Sequence, residues 1–367
     1  MPQLRPLALV LLLIVFAIPL RADDERVIAN FKPRAGNLSA ASLSEDGKLL
    51  LLGEDDGLLT IWNVKTGKQV QNFKGHWPRA VFAAALLPDG KRLVSCGDDN
   101  TLMVLDIATG NRLQQMSTGD SIPWTMSSTS DGALAAAGCN DGQIFIWDLA
   151  HGRRVATLRH DSPIYSLQFS PDARTLAAGY SDGHVILWNT STWSASYTLP
   201  TTNGASVGAL AFSPDSRLLA TGNQNGAGFV WNVADGTQFS SFAGYAHPEV
   251  EASPHVAPPF PGSSLTPPNR STITFLCFSP DSKSILASIQ DASARFWDTK
   301  TGRFLGTADW FDDDRFYVAR YGFPFTTSNV TPYRDFIVNF QFNADQFPEY
   351  YLAQVWRLTF TPDPPQQ

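Results

Sequence analysis

Residues that could perform catalysis or hold a metal are few in this chain, and they are scattered. The 367 residues include six histidines and three cysteines, and none lies in a nucleophile or paired-acid motif. His247 and His255 share a proline-rich stretch, but their spacing is not that of a zinc site. Asp312-Asp313-Asp314 lacks the alternating spacing of calcium loops. The sequence therefore predicts no catalytic residues, no metal site and no cofactor.

A second group of residues is suited to contacting a protein partner. Aromatic and arginine side chains in loops are common interface anchors. The candidates are Trp77, Arg79, Trp124, Trp310, Phe311, Asp312, Asp313 and Asp314. Two of these predictions have an alternative. Trp124 is close to a core position of a predicted strand, and the three aspartates are also consistent with a solvated acidic turn.

The three cysteines cannot all form disulfides with one another. Cys277 lies in an apolar run and is predicted to be a core thiol. Cys96 and Cys139 lie near corresponding positions of neighbouring repeats. They could form a disulfide in an oxidising compartment or remain as two buried thiols.

A tryptophan that returns at regular spacing organises the chain. It occurs in Ile61-Trp62-Asn63, Ile146-Trp147-Asp148, Leu187-Trp188-Asn189, Val230-Trp231-Asn232 and Phe296-Trp297-Asp298, and Leu105-Asp106 fills a missing position. Successive steps from Trp62 through Leu105 to Trp231 are 43, 42, 41 and 43 residues. A fixed period near 40 residues indicates a repeat architecture.

Turn motifs recur in phase with the tryptophan. Acidic turns with the pattern Ser-Pro-Asp or Asp-Gly begin at Ser44, Pro88, Ser130, Ser170, Ser213 and Ser279. A second acid or amide lies six residues before the tryptophan position, often followed by the glycine that tight hairpins favour. Short alternating β-forming segments run between these turns. Each period therefore predicts a four-stranded antiparallel sheet, and the fold class is all-β.

This pattern resembles the WD40 family of β-propellers, over roughly Glu25 to Arg357. In that family a buried network joins a histidine, a strand serine or threonine, a turn aspartate and the tryptophan. The resemblance assigns these structural positions to His76, Ser95, Asp99, His160, Asp182, Trp188, Asp56, Trp62, Asp141, Trp147, Trp231, Asp291 and Trp297. No repeat has all four: Leu105 replaces the tryptophan beside His76, and Ala178 replaces the serine beside His160. Asp120 takes the histidine position of a third repeat.

The resemblance implies a single propeller, which we expect to have seven four-stranded blades. Six tryptophan positions account for six blades. The segment Glu25–Lys32 resembles the fourth strands of other repeats but has no preceding strands of its own. We expect it to close the ring by pairing with a C-terminal blade, because a closed ring leaves no sheet edges. The predicted C-terminal strands are Arg315–Tyr321, Asp335–Phe342 and Tyr350–Leu358.

The N-terminal segment 1–22 is predicted to be a signal peptide. An apolar run of fourteen residues, Leu7–Leu20, precedes the small-residue cleavage site Leu20-Arg21-Ala22. We therefore expect export to a periplasm or the extracellular space, as in a bacterial-type member, with an uncleaved membrane anchor as the alternative. The predicted domains are the propeller at 23–361, with a proline-rich insertion at 245–271 and an irregular aromatic and acidic region at 308–334, and a tail at 362–367.

Composition and charge narrow the classes of function. The net charge is −7 and charged residues make up only 17% of the chain, so a nucleic-acid partner is not expected. We expect a monomeric, non-catalytic scaffold that binds a protein or peptide on the loop face of the propeller. The alternatives are a propeller that binds a small ligand or carbohydrate, and a secreted propeller enzyme.

Overall fold

A computed structural model describes residues 27–31, 38–44, 46–201, 204–243, 272–279, 281–289, 294–308, 336–342 and 351–357. Several predictions concern residues outside these ranges. They are the signal peptide, the proline-rich insertion, most of the region 308–334, the predicted strand Arg315–Tyr321, the C-terminal tail, and the candidates Asp291, Trp310, Phe311, Asp312, Asp313 and Asp314. No helix among the described residues is long and apolar enough to cross a membrane.

The described residues form antiparallel β-strands, as the turn spacing predicts. The first strands in the chain are β1 Val27–Phe31, β2 Leu38–Leu43, β3 Leu49–Glu54, β4 Leu59–Asn63, β5 Lys68–Phe73, β6 Val81–Leu86, β7 Arg92–Gly97, β8 Thr101–Asp106, β9 Arg112–Ser117, β10 Pro123–Ser128, β11 Leu134–Cys139, β12 Gln143–Asp148 and β13 Arg153–Arg159. The remaining strands are β14 Ile164–Phe169, β15 Thr175–Tyr180, β16 His184–Asn189, β17 Ser194–Pro200, β18 Val207–Phe212, β19 Leu218–Asn223, β20 Ala227–Asn232, β21 Gln238–Ala243, β22 Ile273–Phe278, β23 Ser284–Ile289, β24 Ala294–Asp298, β25 Phe304–Ala308, β26 Phe336–Phe342 and β27 Tyr351–Arg357.

These strands form six four-stranded sheets in simple chain order, from β2–β5 through to β22–β25. A separate three-stranded sheet has the order β1-β27-β26. In it the N-terminal strand β1 pairs antiparallel with β27, with Val27 opposite Trp356 and Phe31 opposite Ala353. The predicted four-stranded antiparallel unit is confirmed for the six complete sheets. The first strands of successive sheets lie side by side.

The Ser-Pro-Asp motifs form turns through side-chain bonds to the backbone. In the turn between β14 and β15, the Ser170 hydroxyl donates to Asp172 at 2.6 Å and accepts the N–H of Thr175 at 3.0 Å. The same carboxylate accepts the N–H of Arg174 at 3.1 Å. These local bonds satisfy backbone groups that the hairpin leaves unpaired, which explains why the motif recurs once per period.

A register shift accompanies the tryptophan position of every complete sheet. The pairing of the third and fourth strands shifts between the residue before that position and the position itself, as between Ile146 and Trp147. The same shift occurs at Trp62, Leu105, Trp188, Trp231 and Trp297. A β-bulge increases local twist. The regularly spaced tryptophan position therefore coincides with a β-bulge in each complete sheet.

The core lies between successive sheets. Trp147 and Phe145 of β12 are buried in one cluster with Cys96 and Val104 of the preceding sheet and Met126 of β10. Buried groups of this kind supply most of the favourable free energy of folding. Equivalent clusters join the other neighbouring sheets.

All three cysteines are buried free thiols. Burial raises the pKa of Cys96 and of Cys277 to about 12, so both remain protonated. The alternative of a Cys96–Cys139 disulfide does not hold in this structure.

Candidate functional site

One end of the described sheets carries two kinds of connection. The loops from a fourth strand to the next first strand lie there with the turns between second and third strands. In the loop between β5 and β6, the N–H of His76 donates to Gly57 of the preceding sheet at 3.2 Å. The carbonyl of Ala80 accepts the N–H of Asp98 from its own sheet at 2.9 Å. Each loop is thus fixed to turns on both sides, and we call this end the loop face.

The loop 74–80 presents the exposed candidates Trp77 and Arg79. Trp77 is 53% exposed, and the ammonium of Lys74 lies 5.4 Å from its ring centroid. The side chain of Arg79 is 64% exposed and reaches Asp98 at 3.5 Å. An ion pair of this length and exposure contributes little to stability. Both side chains are therefore available to a partner at little conformational cost.

The buried side chain of His76 holds this loop in place. Its Nδ1 lies 2.8 Å from Asp99 and its Nε2 lies 2.9 Å from the hydroxyl of Ser95. Burial alone would raise the pKa of Asp99, but hydrogen bonds from His76 and Thr101 and the charge of His76 hold it below its ordinary value. The predicted polar network of this repeat is present, and it positions the neighbouring Trp77.

Trp124 is half-buried, so its environment lies between that of an exposed interface anchor and that of a core residue. Its ring stacks on Tyr165 with centroids 5.8 Å apart and an interplanar angle of 29°. Both are the second residue of a first strand, and Phe82 holds the same position in the preceding sheet. All three are half-buried and lie on adjacent strands, so they form an aromatic row beside the loop face. We define the aromatic row as Phe82, Trp124 and Tyr165.

The repeat around His160 uses the same positions differently. His160 Nε2 lies 2.8 Å from Asp182 Oδ2, and Ala178 stands where Ser95 does in the other repeat. A further imidazole, His184, lies 3.1 Å from the same carboxylate oxygen. The sequence alone does not place His184 beside this pair, because the contact depends on the conformation of the turn between β15 and β16.

The third repeat corrects the assignment of Asp120 to the histidine position. The N–H of Thr118 donates to Asn100 at 3.0 Å, as His76 and His160 donate to Gly57 and Gly142. Thr118 therefore occupies that position. The turn carboxylate of Asp141 is instead contacted by the hydroxyl of Ser121 at 2.7 Å. Asp120 lies two residues further along the same loop.

A family model described as "WD domain, G-beta repeat" matches five segments of the chain, residues 67–106, 111–148, 152–189, 193–232 and 261–298. Together they cover more than half of it. The chain belongs to the WD40 family. Each WD40 segment ends directly after a tryptophan position, and the first begins before the fourth strand β5. The sequence repeat is therefore offset by one strand from the sheets.

Three plant proteins resemble a short part of this WD40 chain. Small ribosomal subunit protein RACK1z of Arabidopsis thaliana is 43% identical over 47 residues. Small ribosomal subunit protein RACK1 of Medicago sativa and that of Glycine max are each 47% identical over 47 residues. Each match covers 13% of this chain and 14% of the relative. The chain thus spans about one-seventh of the length of these relatives, close to a single WD40 repeat.

The remaining WD40 positions in the described residues have structural contacts. Asp56 accepts the N–H of Leu58 at 3.0 Å, which closes its turn. The indole of Trp231 donates to Thr221 at 3.1 Å, and that of the half-buried Trp62 donates to Thr60 at 2.9 Å. Trp147, Trp188 and Trp297 are buried in the core clusters. These positions stabilise the sheets, and the indole of Trp188 makes no hydrogen bond to the His160–Asp182 pair.

Proposed function

We propose that this protein is an exported, non-catalytic scaffold that binds a protein or peptide on its loop face. The observation that supports this most directly is the exposed pair Trp77 and Arg79 on a loop fixed by a buried histidine. Tryptophan and arginine are the side chains most enriched at interface hot spots. A rigid loop that presents them loses little conformational entropy on binding.

The aromatic row extends the proposed surface. Phe82, Trp124 and Tyr165 lie on three neighbouring first strands next to this loop. Half-buried aromatic rings offer a partner large contact area with few rotamers to fix. We propose that the loop 74–80 and the aromatic row together form one docking surface, which the predicted anchors Trp310, Phe311 and Asp312–Asp314 would extend.

We propose that the sheets form a ring of seven blades closed by β1. Three observations support closure. Strand β1 pairs with β27, strand β2 lies beside β26, and four of the five matched segments begin one strand before a sheet. A chain whose repeats begin with a fourth strand supplies that strand to its last sheet from its N-terminus. This arrangement would leave no unpaired edge.

Export rests on the sequence of residues 1–22, with its short apolar run and cleavage site. We propose action in a periplasm or extracellular space by a monomer. The ribosomal description of the plant relatives does not extend to this chain, because the likeness spans about one repeat. The net charge of −7 also disfavours a nucleic-acid partner.

Catalysis is disfavoured by the electrostatics of the described carboxylates. Aspartates with shifted pKa values lie in turns, where hydrogen bonds hold the pKa below its ordinary value, as for Asp131 and Asp281. A general acid at neutral pH needs a raised pKa. Asp131 and Asp281 therefore serve the turns of the fold.

The docking surface is tested by affinity capture from the cell-envelope fraction with the full chain, expressed in its own cells. The test variant carries Trp77→Ser and Arg79→Ser. The matched control carries Val70→Ser and Leu113→Ser, which remove exposed apolar side chains of fourth strands away from the loop. We expect one specific protein to be retained by the native chain and the control and lost with the test variant. Equal retention by all three chains, or no capture, would contradict the proposed surface.

N-terminal sequencing of the captured chain tests export in the same experiment. A mature terminus at Asp23 is expected.

A second candidate function is binding of a carbohydrate or small ligand, which the Trp124–Tyr165 stack favours. Small-ligand sites are commonly lined by aromatic side chains. Quenching of tryptophan fluorescence by a glycan panel, lost in Trp124→Leu and kept in the Trp77→Ser and Arg79→Ser variant, would support this alternative over protein docking.

A further inference from the structure

Three potential metal ligands converge on the loop face in the sheet β14–β17. They are His160 from the loop before β14, Asp182 from the turn between β15 and β16, and His184 at the start of β16. One ligand atom from each residue lies within 4.8 Å of the other two. Two imidazole nitrogens and a carboxylate oxygen are the donor set that zinc and related divalent ions prefer.

The distances are close to those of a tetrahedral site. Metal–nitrogen and metal–oxygen bonds of about 2.0–2.1 Å place neighbouring ligand atoms about 3.3 Å apart. Here Asp182 Oδ2 lies 2.8 Å from His160 Nε2 and 3.1 Å from His184 Nδ1. Side-chain shifts of a few tenths of an ångström would open these two separations to the length that an ion requires.

One of these contacts is poorly explained as a hydrogen bond. His184 Nδ1 is shielded from solvent and lies 3.1 Å from the carboxylate, yet it makes no hydrogen bond among the described residues. The ring nitrogen thus faces Asp182 without a well-formed hydrogen bond, and a shielded nitrogen that is poorly bonded costs stability. A lone pair directed at a shared ion would relieve that cost, and the other carboxylate oxygen of Asp182 already accepts the N–H of His184 at 3.0 Å.

The other repeats provide an internal comparison. The residue two positions after the turn acid is Thr101 in the His76 repeat, where its hydroxyl donates to Asp99 at 2.8 Å. It is Gln143 in the next repeat, where its amide donates to Asp141 at 2.7 Å. In both of these repeats the polar side chain at this position reaches the turn carboxylate. Only the repeat with His184 places a second imidazole there while lacking the serine that fixes the first.

We propose that His160, Asp182 and His184 bind a single divalent transition-metal ion of the zinc class, with solvent completing the coordination. The side chains are 28%, 35% and 45% exposed, so an ion and a water molecule can reach them. The ion would join the loop before β14 to the turn between β15 and β16.

The test measures zinc bound to the full chain, produced without a histidine tag and dialysed against zinc chloride. The test variant is His184→Thr, which installs the residue found at that position in the His76 repeat. The control is His151→Gln, because His151 makes a comparable 2.8 Å pair with Asp148 but no third ligand joins them among the described residues. Circular dichroism confirms that both variants fold.

We expect one equivalent of zinc on the native chain and on His151→Gln. In His184→Thr the affinity for zinc should fall at least about 10-fold, because losing a group that only hydrogen-bonds a metal ligand already lowers metal affinity by that factor. Zinc should raise the melting temperature of the native chain and not of His184→Thr, because an ion that binds only the folded state stabilises it. No zinc on the native chain, equal zinc on His184→Thr, or loss of zinc in His151→Gln would each overturn the proposal.

Discussion

Replacement of Asp99 by alanine should destabilise the protein by removing three hydrogen bonds at once. Asp99 Oδ1 accepts from His76 Nδ1 at 2.8 Å, and from the N–H and hydroxyl of Thr101 at 3.2 Å and 2.8 Å. The side chain of His76 is fully buried, so water cannot replace the lost carboxylate there. Thr101 is also buried, at 9% exposure.

The expected cost follows from these environments. A buried polar group left without a partner costs about 1–3 kcal/mol, and a typical hydrogen bond contributes a net of about 0.5–1.5 kcal/mol. Asp99→Ala should therefore lower the free energy of unfolding by about 2–4 kcal/mol. Asp56→Ala is the matched control, since Asp56 holds the same turn position but accepts only the N–H of Leu58 among the described residues. Its expected cost is about 0.5–1.5 kcal/mol.

The difference between these variants should depend on pH. The folded-state pKa of Asp99 is held below its ordinary value. Its contribution is therefore fully present above the unfolded-state pKa of about 3.9, and it is lost as the pH falls through the folded-state value. Urea unfolding at pH 7 and pH 3 measures both quantities. Equal costs for Asp99→Ala and Asp56→Ala at pH 7, or a gap that persists undiminished at pH 3, would refute this account of the network.

Three further predictions concern the sheets. Trp147→Ala removes a buried core side chain and should lower the free energy of unfolding by about 3–5 kcal/mol, measured by urea unfolding. Gly142 has φ +82°, and a Cβ there would lie 1.8 Å from the carbonyl oxygen of His160. Gly142→Ala should therefore destabilise the protein more than Gly90→Ala, because Gly90 has φ +64° and no atom within 4 Å of the added Cβ. Comparison of the two melting temperatures checks this. Deletion of residues 23–34 removes β1 and leaves β27 with an unpaired edge, which should produce aggregation on size-exclusion chromatography. A truncated chain that stays monomeric and melts normally would contradict pairing by β1.

Local turn chemistry made the four-stranded unit predictable from the sequence. The bonds of Ser170 and Asp172 span only a few residues, so they form wherever the motif occurs. The spacing of the tryptophan positions sets the number of such turns in each unit. Both features are local in the sequence, so they are predictable without knowledge of distant contacts.

Features that depend on register were not predictable in the same way. The sequence pattern assigns the histidine position to Asp120, but hydrogen bonding places Thr118, two residues earlier, at that position. His184 is separated from His160 by 24 residues, and its approach to Asp182 depends on how one turn closes. The aromatic row likewise depends on which residue of each first strand faces away from the core.

The histidine position has different hydrogen-bonding surroundings in the repeat of His76 and in that of His160. In the first, Asp99 and Ser95 occupy both ring nitrogens of a fully buried imidazole, and Thr101 completes the bonding of the carboxylate. Both nitrogens of the imidazole are satisfied within the fold, so this network supports the loop that carries Trp77 and Arg79. In the second, Ala178 supplies no hydroxyl, the imidazole is partly exposed, and His184 brings a further nitrogen to the same carboxylate. A network that loses one internal partner leaves donor atoms at the surface, and these atoms become available to a ligand. Divergence among repeats of one fold can therefore convert a structural position into a binding site while the period and the turns remain unchanged.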